Sequence, residues 1–230
     1  MRYQMILLDA DDTIFDFQAG NRRAVAALMA ELGLSSPTVF DEYQAINHAC
    51  WQALDRGEMT QDVLHVERFR RFLAQKGRSD DPARVADRFA ELLGGQAILF
   101  PGAEEVVKAL SERLPVAILT NGITAIQKRR MSISPVRRWI SRLVISQEAG
   151  VSKPDPGIFR IALDGVDPKD ALMIGDGVGS DVAGANAAGI DMCWYNPGGK
   201  TLPEGLHAEY EIRALADCLP VAFQESPDVI

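Results

Sequence analysis

Residues 5–13 read MILLDADDT, four apolar residues followed by three aspartates within four positions. The apolar residues predict a short buried strand, and Asp9, Asp11 and Asp12 follow at its end. Clustered carboxylates repel one another, and a buried carboxylate without a partner costs several kcal/mol or changes its protonation state. The stretch therefore predicts a positively charged partner at the end of the first strand.

Further apolar runs of strand length recur along the chain, and helical segments lie between the later ones. The runs are 115–120 (PVAILT), 143–146 (LVIS), 171–175 (ALMIG) and 191–195 (DMCWY), and the helical segments are 103–113, 122–132, 155–164 and 180–189. Nearly continuous apolar runs are typical of parallel strands that are covered on both faces. The alternation predicts an α/β fold, a doubly wound parallel Rossmann-like sheet.

The alternation stops between the first strand and the second. Residues 16–100 read as consecutive helices, in which apolar residues recur at three- and four-residue spacing, as at Leu64, Phe69, Phe72 and Leu73. We therefore expect a helical module at 16–100 that is inserted into an α/β core of residues 1–15 and 101–230. The tail SPDVI, residues 226–230, is expected to fray.

Composition limits the class of protein. The chain has 230 residues, of which 47% are hydrophobic, and 32 acidic against 24 basic residues give a net charge of −8. This charge disfavours nonspecific binding of nucleic acid. No stretch approaches the roughly 20 apolar residues of a membrane span, and the first apolar run is too short for a secretory signal. We expect a cytoplasmic protein whose cysteines, Cys50, Cys193 and Cys218, are buried free thiols.

Polar side chains follow the strands, where ligands bind in an open parallel sheet. They are Asp9, Asp11 and Thr13 after the first strand, Thr120 and Asn121 after the second, Lys153 after the third, and Asp176 and Asp181 after the fourth. Oxygen ligands of this kind suit a hard divalent cation, and Mg²⁺ is the expected one. Lys153 adds a second positive charge.

Structural interpretations of the same residues stay open. Asp9 and Asp11 could cap a turn, Asp176 could cap a helix, and Asp181 is favourable at a helix N-terminus without any ligand. Thr120 could simply end a strand, and Lys153 could be a solvated loop lysine. Two phosphate-binding motifs are excluded: GGKT at 198–201 has Trp194 where a P-loop needs its first glycine, and Ser180 stands where the dinucleotide fingerprint needs its last.

Four stretches resemble the signature motifs of the haloacid dehalogenase superfamily of phosphohydrolases, in their usual order. They are DADDT at 9–13, the run ending in Thr120-Asn121-Gly122, Lys153-Pro154, and GDGVGSD at 175–181. The helical insertion resembles the cap of that superfamily. Further stretches, DADDTIFDF, YQAINHACWQALDRGEMT, AILTNGITAIQKRR and VISQEAGVSKPDPGIF, are similar to the noncanonical pyrimidine 5′-nucleotidases within it. The resemblance implies a haloacid dehalogenase fold with an inserted helical cap domain.

The resemblance also implies roles for the carboxylates. Asp9 would be the nucleophile that forms an aspartyl-phosphate, and Asp11 would be the general acid and base. An aspartate at this second position is typical of the phosphatases and disfavours dehalogenation. The Asp9 side chain, the Asp11 backbone carbonyl and Asp176 would hold Mg²⁺, and Asp181 would orient a metal-bound water or Lys153.

The phosphoryl group would have its own binding set. The Thr120 hydroxyl, the backbone N–H groups of Asn121 and Gly122, and Lys153 would contact its oxygens. The N-terminus of the helix after Gly122 also favours an anion.

The implied substrate is a small phosphate ester, a nucleoside 5′-monophosphate with pyrimidines preferred. Phosphoglycolate, a sugar phosphate, or a phosphate-binding module without turnover are the alternatives. In the module 16–100, Asn47, His48 and Trp51 lie at helical spacing, so His48 and Trp51 could contact a base. Equally, Trp51 could pack inside the module and His48 could lie on its surface. Phe15 and Phe17 could lie near the sugar or join cap to core. The sequence leaves the oligomeric state open.

Overall fold

A computed structural model describes residues 1–224, except for the side chain of Asp55. The chain forms two compact units. One contains residues 1–17, 98–124 and 133–224, and the other contains residues 18–97 and 125–132. The expected fraying of residues 226–230 lies outside the described residues.

A six-stranded parallel sheet organises the first unit, with the strand order β3-β2-β1-β4-β5-β6. The strands are β1 (Met5–Leu8), β2 (Val116–Thr120), β3 (Arg142–Ile145), β4 (Ala171–Gly175), β5 (Asp191–Tyr195) and β6 (Tyr210–Ile212). Every residue of β1, β2 and β4 is buried, which explains their uninterrupted apolar sequence. The predicted doubly wound α/β fold is confirmed, and β1 lies between β2 and β4 so that the carboxyl ends of these strands share one edge.

Four helices build most of the second unit. They are α1 (Phe17–Glu31), α2 (Val39–Asp55), α3 (Gln61–Gln75) and α4 (Pro82–Gly94). The Thr60 hydroxyl caps α3 by accepting from the Val63 N–H, and Asp81 caps α4 by accepting from the Ala83 N–H. The unit is held by an aromatic core whose ring centroids lie 5.3–5.8 Å apart, formed by Tyr43, Phe69, Phe72 and Phe89.

Short helices lie between the strands of the sheet and after β6. They are α5 (Ala103–Ser111), α6 (Thr124–Ile133), α7 (Ser146–Ala149), α8 (Pro156–Leu163), α9 (Ala183–Ala188) and α10 (Cys218–Ala222). Residues 125–132 of α6 group with the helical unit. The predicted helix 180–189 begins differently from the expectation, because Val178–Val182 is a π-helical turn in which the N–H groups of Asp181 and Val182 both donate to the Gly177 carbonyl.

Two sequence predictions about the whole chain can be compared with the structure. Cys50, Cys193 and Cys218 are buried and free, as predicted. Among residues 1–224, no helix combines the length and the apolar character that crossing a membrane would require.

Candidate active site

The strand ends bring the predicted acidic residues to one edge of the sheet. Asp9 comes directly after β1, and its N–H donates to the Ile174 carbonyl of β4 at 2.9 Å. Asp176 is the first residue after β4, and Thr120 is the last residue of β2. Because β2, β1 and β4 are consecutive in the sheet, these three residues share one edge.

Lys153 is the positive partner that the first strand end requires. Its Nζ lies 2.5 Å from Asp9 Oδ1, 2.6 Å from Asp181 Oδ1 and 2.9 Å from the Leu119 carbonyl. An ammonium group has three donors, so all three are used. Lys153 is only 5% exposed, which excludes a solvated loop lysine. Lys153 therefore lies directly against Asp9.

Burial and charge act in opposite directions on this ion pair. Burial raises the pKa of Asp9 well above its usual value, and the Lys153 ammonium opposes that rise. Burial also acts to lower the pKa of Lys153, but the carboxylates of Asp181 and Asp9 outweigh it and raise that pKa. Lys153 therefore stays protonated and compensates the negative charge beside Asp9.

Thr13 links Asp9 to Asp176. Its buried hydroxyl lies 3.3 Å from Asp9 Oδ2 and 3.3 Å from Asp176 Oδ1. Burial raises the pKa of Asp176 to about 6, and the carboxylates of Asp181 and Asp12 add to the rise. The two carboxylates thus meet at a single hydroxyl, which has one proton and can donate to only one of them at a time.

Asp181 lies inside the π-helical turn, and both of its carboxylate oxygens accept hydrogen bonds. One carboxylate oxygen accepts from Lys153, and the other accepts from the Gly177 N–H at 2.9 Å. A Cβ at Gly175 would lie 2.4 Å from Asp181 Oδ2, so this carboxylate needs a glycine opposite it. Asp181 therefore contacts Lys153 and also lies near the start of α9.

The carboxylates fit a divalent cation. Asp9, Asp176 and Asp181 each offer an oxygen, and these atoms lie within 4.8 Å of one another. Three carboxylates stand against one ammonium, and hard cations such as Mg²⁺ take oxygen ligands. Asp181 accepts a hydrogen bond at each oxygen, at 2.6 and 2.9 Å. The Thr13 hydroxyl lies 3.3 Å from one oxygen of Asp9 and one of Asp176 and can donate to only one of them, so Asp9 and Asp176 are the better ligands. Asp11, whose predicted contribution is a backbone carbonyl, lies half-buried in the loop after β1.

The predicted phosphate-binding residues also make contacts of their own. The Gly122 N–H donates to the Thr120 hydroxyl at 3.2 Å. The Asn121 side chain forms two hydrogen bonds with the Lys153 backbone: its Nδ2 donates to the carbonyl at 2.8 Å, and its Oδ1 accepts from the N–H at 2.9 Å. The sequence predicts a role only for the Asn121 backbone, so the contact of this side chain is not predicted.

Trp194 is a second residue whose contact the sequence does not predict. Its buried indole Nε1 donates to the Asp176 backbone carbonyl at 3.1 Å. The available signal was the tryptophan itself, because a buried indole N–H needs an acceptor.

The helical unit places the suggested base-contacting residues as follows. His48 is exposed and Trp51 is half-buried, three residues apart on α2. Asn47 Oδ1 accepts from Arg68 Nη1 at 3.1 Å. In the other unit, Phe15 is buried and Phe17 is half-buried. Contacts of these residues with a substrate stay a prediction.

Known proteins resemble the chain over nearly its full length. Pyrimidine 5′-nucleotidase PynA of Streptococcus pneumoniae is 32% identical over 95% of this chain and 96% of its own. Pyrimidine 5′-nucleotidase YjjG of Escherichia coli is 29% identical over 94% of this chain and 96% of its own. YfnB of Bacillus subtilis, whose name assigns it provisionally to the HAD-hydrolases, is 31% identical over 94% of both chains.

YfnB also provides a structural comparison. A crystal structure of YfnB bound to magnesium, which reveals interdomain movement in that protein, superposes with a TM-score of 0.88 at 28% identity and covers 97% of this chain and all of its own. Residues 3–189 match the family model of haloacid dehalogenase-like hydrolases. The resemblance that the four motifs indicate is confirmed: the chain is an enzyme that belongs to the haloacid dehalogenase-like hydrolase family.

Proposed function

We propose that the protein is a Mg²⁺-dependent phosphatase that hydrolyses nucleoside 5′-monophosphates, with pyrimidine nucleotides preferred. The observation that carries the proposal is the buried Asp9–Lys153 pair beside the Asp176 and Asp181 carboxylates, an arrangement suited to a carboxylate nucleophile and a cation. The similarity to two proteins named pyrimidine 5′-nucleotidase supports the substrate class, since it extends through both units.

Asp9 is the proposed nucleophile. One of its carboxylate oxygens attacks phosphorus, the bond from phosphorus to the ester oxygen breaks, and an aspartyl-phosphate forms. Asp11 donates a proton to the leaving alkoxide, which departs as the nucleoside. Water then attacks phosphorus while Asp11 takes its proton, and inorganic phosphate leaves with Asp9 regenerated.

Positive and polar groups stabilise the charge on the phosphoryl oxygens. Lys153 favours the ionised form of Asp9 and holds its carboxylate in place, and the Thr120 hydroxyl with the N–H groups of Asn121 and Gly122 binds phosphoryl oxygens. Asp9, the Asp11 backbone carbonyl and Asp176 would hold Mg²⁺, which when bound offsets negative charge on the phosphoryl group. A relative with magnesium bound in its crystal supports this choice of cation.

We propose the helical unit as the cap domain and as the element that selects the ester. Its polar and aromatic residues on α2, Asn47, His48 and Trp51, are the candidates for contact with a base. Phosphoglycolate and sugar phosphates remain the alternative substrates, because the proposed chemistry at Asp9 does not depend on the leaving alcohol.

Phosphate release from a panel of esters tests the proposal. The panel contains dUMP, dTMP, UMP, dAMP, phosphoglycolate and a hexose phosphate, each with Mg²⁺ and with EDTA. We expect Mg²⁺-dependent release that is fastest from the pyrimidine nucleotides, and none from the Asp9→Asn variant. Preferred release from phosphoglycolate or the hexose phosphate would overturn the substrate class, and absence of release from every ester would favour a binding module.

A further inference from the structure

Trp194 has an unusual position for a buried aromatic residue, because it touches the loop that carries Asp176. It is the fourth residue of β5 and lies opposite Gly175, the last residue of β4, in the parallel register. Its side chain is 2% exposed and belongs to the apolar cluster that also contains Met173 and Val182. The ring is thus fixed on its apolar faces, and its one polar atom points to the end of β4.

The polar atom has a specific partner. Indole Nε1 donates to the Asp176 backbone carbonyl at 3.1 Å, which lies within the usual range of an N–H···O hydrogen bond. The carbonyl belongs to the residue at which the chain leaves the sheet. The hydrogen bond therefore restrains the backbone orientation of Asp176 from β5, the strand next to its own.

The residues next to Asp176 do not restrain it through side chains. Asp176 stands between Gly175 and Gly177, which contribute no side chains of their own. The Gly177 N–H donates to the Asp181 carboxylate, which restrains the backbone on the C-terminal side of Asp176. At the Asp176 side chain, the Thr13 hydroxyl lies 3.3 Å from Oδ1. Trp194 and Thr13 thus restrain Asp176 at two different points, its carbonyl and its carboxylate.

We propose that Trp194 is a positioning residue that sets the affinity of the carboxylate site for Mg²⁺ by holding the Asp176 backbone. This inference rests on the metal site of the proposed function. Trp194 does not touch the cation or the phosphate ester in this role. It reduces the freedom of a ligand before the cation arrives, and loss of such supporting contacts typically weakens metal binding 10- to 100-fold.

The test compares Trp194→Phe with Trp139→Phe. Phenylalanine keeps an aromatic ring in the core but lacks the N–H donor. Trp139 is the matched control, since it lies in the same unit and stacks with the Arg138 guanidinium, 4.3 Å from its ring centroid. Isothermal titration with MgCl₂ measures the dissociation constant without substrate, and urea unfolding in EDTA measures stability separately.

We expect Trp194→Phe to raise the Mg²⁺ dissociation constant about tenfold and Trp139→Phe to leave it unchanged. A merely structural role would lower the unfolding midpoint in EDTA and leave the dissociation constant within twofold of the wild-type value, which would overturn the inference. Wild-type protein that binds no Mg²⁺ would overturn the inference and the metal requirement together. Wild-type protein that binds Mg²⁺ but hydrolyses no nucleotide would overturn the substrate class only.

A measurement on the unmodified chain covers the case in which Trp194→Phe does not fold. The sequence has three tryptophans, so three indole N–H signals are expected in a ¹⁵N-correlated spectrum. We expect MgCl₂ to shift the Trp194 signal and to leave the Trp139 signal in place. An unshifted Trp194 signal at saturating Mg²⁺ would contradict the coupling between the indole and the Asp176 loop.

Discussion

The Asn121 side chain holds the backbone of Lys153 through both of its amide atoms. Nδ2 donates to the Lys153 carbonyl at 2.8 Å and Oδ1 accepts from the Lys153 N–H at 2.9 Å, across 32 positions of sequence. At the other end of the same lysine, Nζ reaches Asp9 and Asp181. The backbone and the ammonium of Lys153 are therefore fixed independently, which places its charge beside Asp9 with little freedom.

The first prediction concerns this pair. Asn121→Ala removes both hydrogen bonds to the Lys153 backbone, so the ammonium should be less well placed for the reaction. We expect kcat to fall about 10- to 100-fold, since small displacements of a reacting group are costly. Steady-state phosphate release under saturating Mg²⁺ measures the effect.

The chain contains a matched control for Asn121→Ala. Asn186 makes the same two-bond contact with the backbone of His207, at 2.9 and 3.0 Å, on an exposed part of the surface. Asn186→Ala should lose similar local stability and keep kcat. Equal kcat values in the two variants would show that the Asn121 contact does not position Lys153 for catalysis.

The second prediction concerns the charge of Lys153. Lys153→Met leaves Asp9 and Asp181 buried without their cation, and breaking a buried pair in this way typically costs about 3–5 kcal/mol. We expect a loss of that order in the free energy of unfolding, measured by urea in EDTA, together with loss of turnover.

A double variant separates the charge effect from the change in packing. Lys153→Met combined with Asp181→Asn removes one of the two uncompensated carboxylates and should recover part of the lost stability, while turnover stays absent. If Asp181→Asn lowers the free energy of unfolding of Lys153→Met by as much as it lowers that of the wild-type protein, the loss comes from packing and not from charge.

The third prediction is a pH dependence of cation binding. Burial raises the pKa of Asp176 to about 6 from an ordinary value of 3.8. Between these pH values, Asp176 binds more protons in the folded Mg²⁺-free protein than in the unfolded chain, so its contribution to the free energy of unfolding should fall as the pH rises. Mg²⁺ competes with the proton for Asp176, so the Tm increase produced by Mg²⁺ should be larger at pH 7.5 than at pH 5.

Thermal unfolding with MgCl₂ or EDTA across this pH range measures the effect. In Asp176→Asn the residue cannot titrate, and the pH-dependent part of the Mg²⁺ effect should shrink. A Tm increase that is constant from pH 5 to pH 7.5 in the wild-type protein would show that Asp176 does not lose its proton on binding the cation.

The sequence predicts the sheet well because its central strands are buried on both faces. The run at β4 is apolar from Ala171 to Ile174, and such runs identify strands without knowledge of their partners. In contrast, β6 was missed because Tyr210-Glu211-Ile212 has three residues and one buried side chain. The π-helical turn was missed because its side-chain pattern resembles that of an ordinary helix.

The residues of the candidate site also fall into those that the sequence identifies and those that it does not. Residues whose chemistry is in the side chain and whose position is at a strand end, such as Asp9 and Asp176, are identified from residue type and place. The contacts of Asn121 and Trp194 are not, because each joins a side chain to a distant backbone atom. Backbone acceptors look alike at every residue, so only the fold shows which one is used.

The last prediction concerns the packing of α9 against α8. A Cβ at Gly184 would lie 2.4 Å from two ring carbons of Phe159 and 3.2 Å from Pro154 Cα, and Phe159 is fully buried. The ring cannot move without disturbing the core, so Gly184→Ala should lower the free energy of unfolding by about 1–3 kcal/mol. Gly198→Ala is the control, because its Cβ would meet nothing within 4 Å. Urea unfolding of both variants measures the difference, and equal stability of the two would contradict close packing at Gly184.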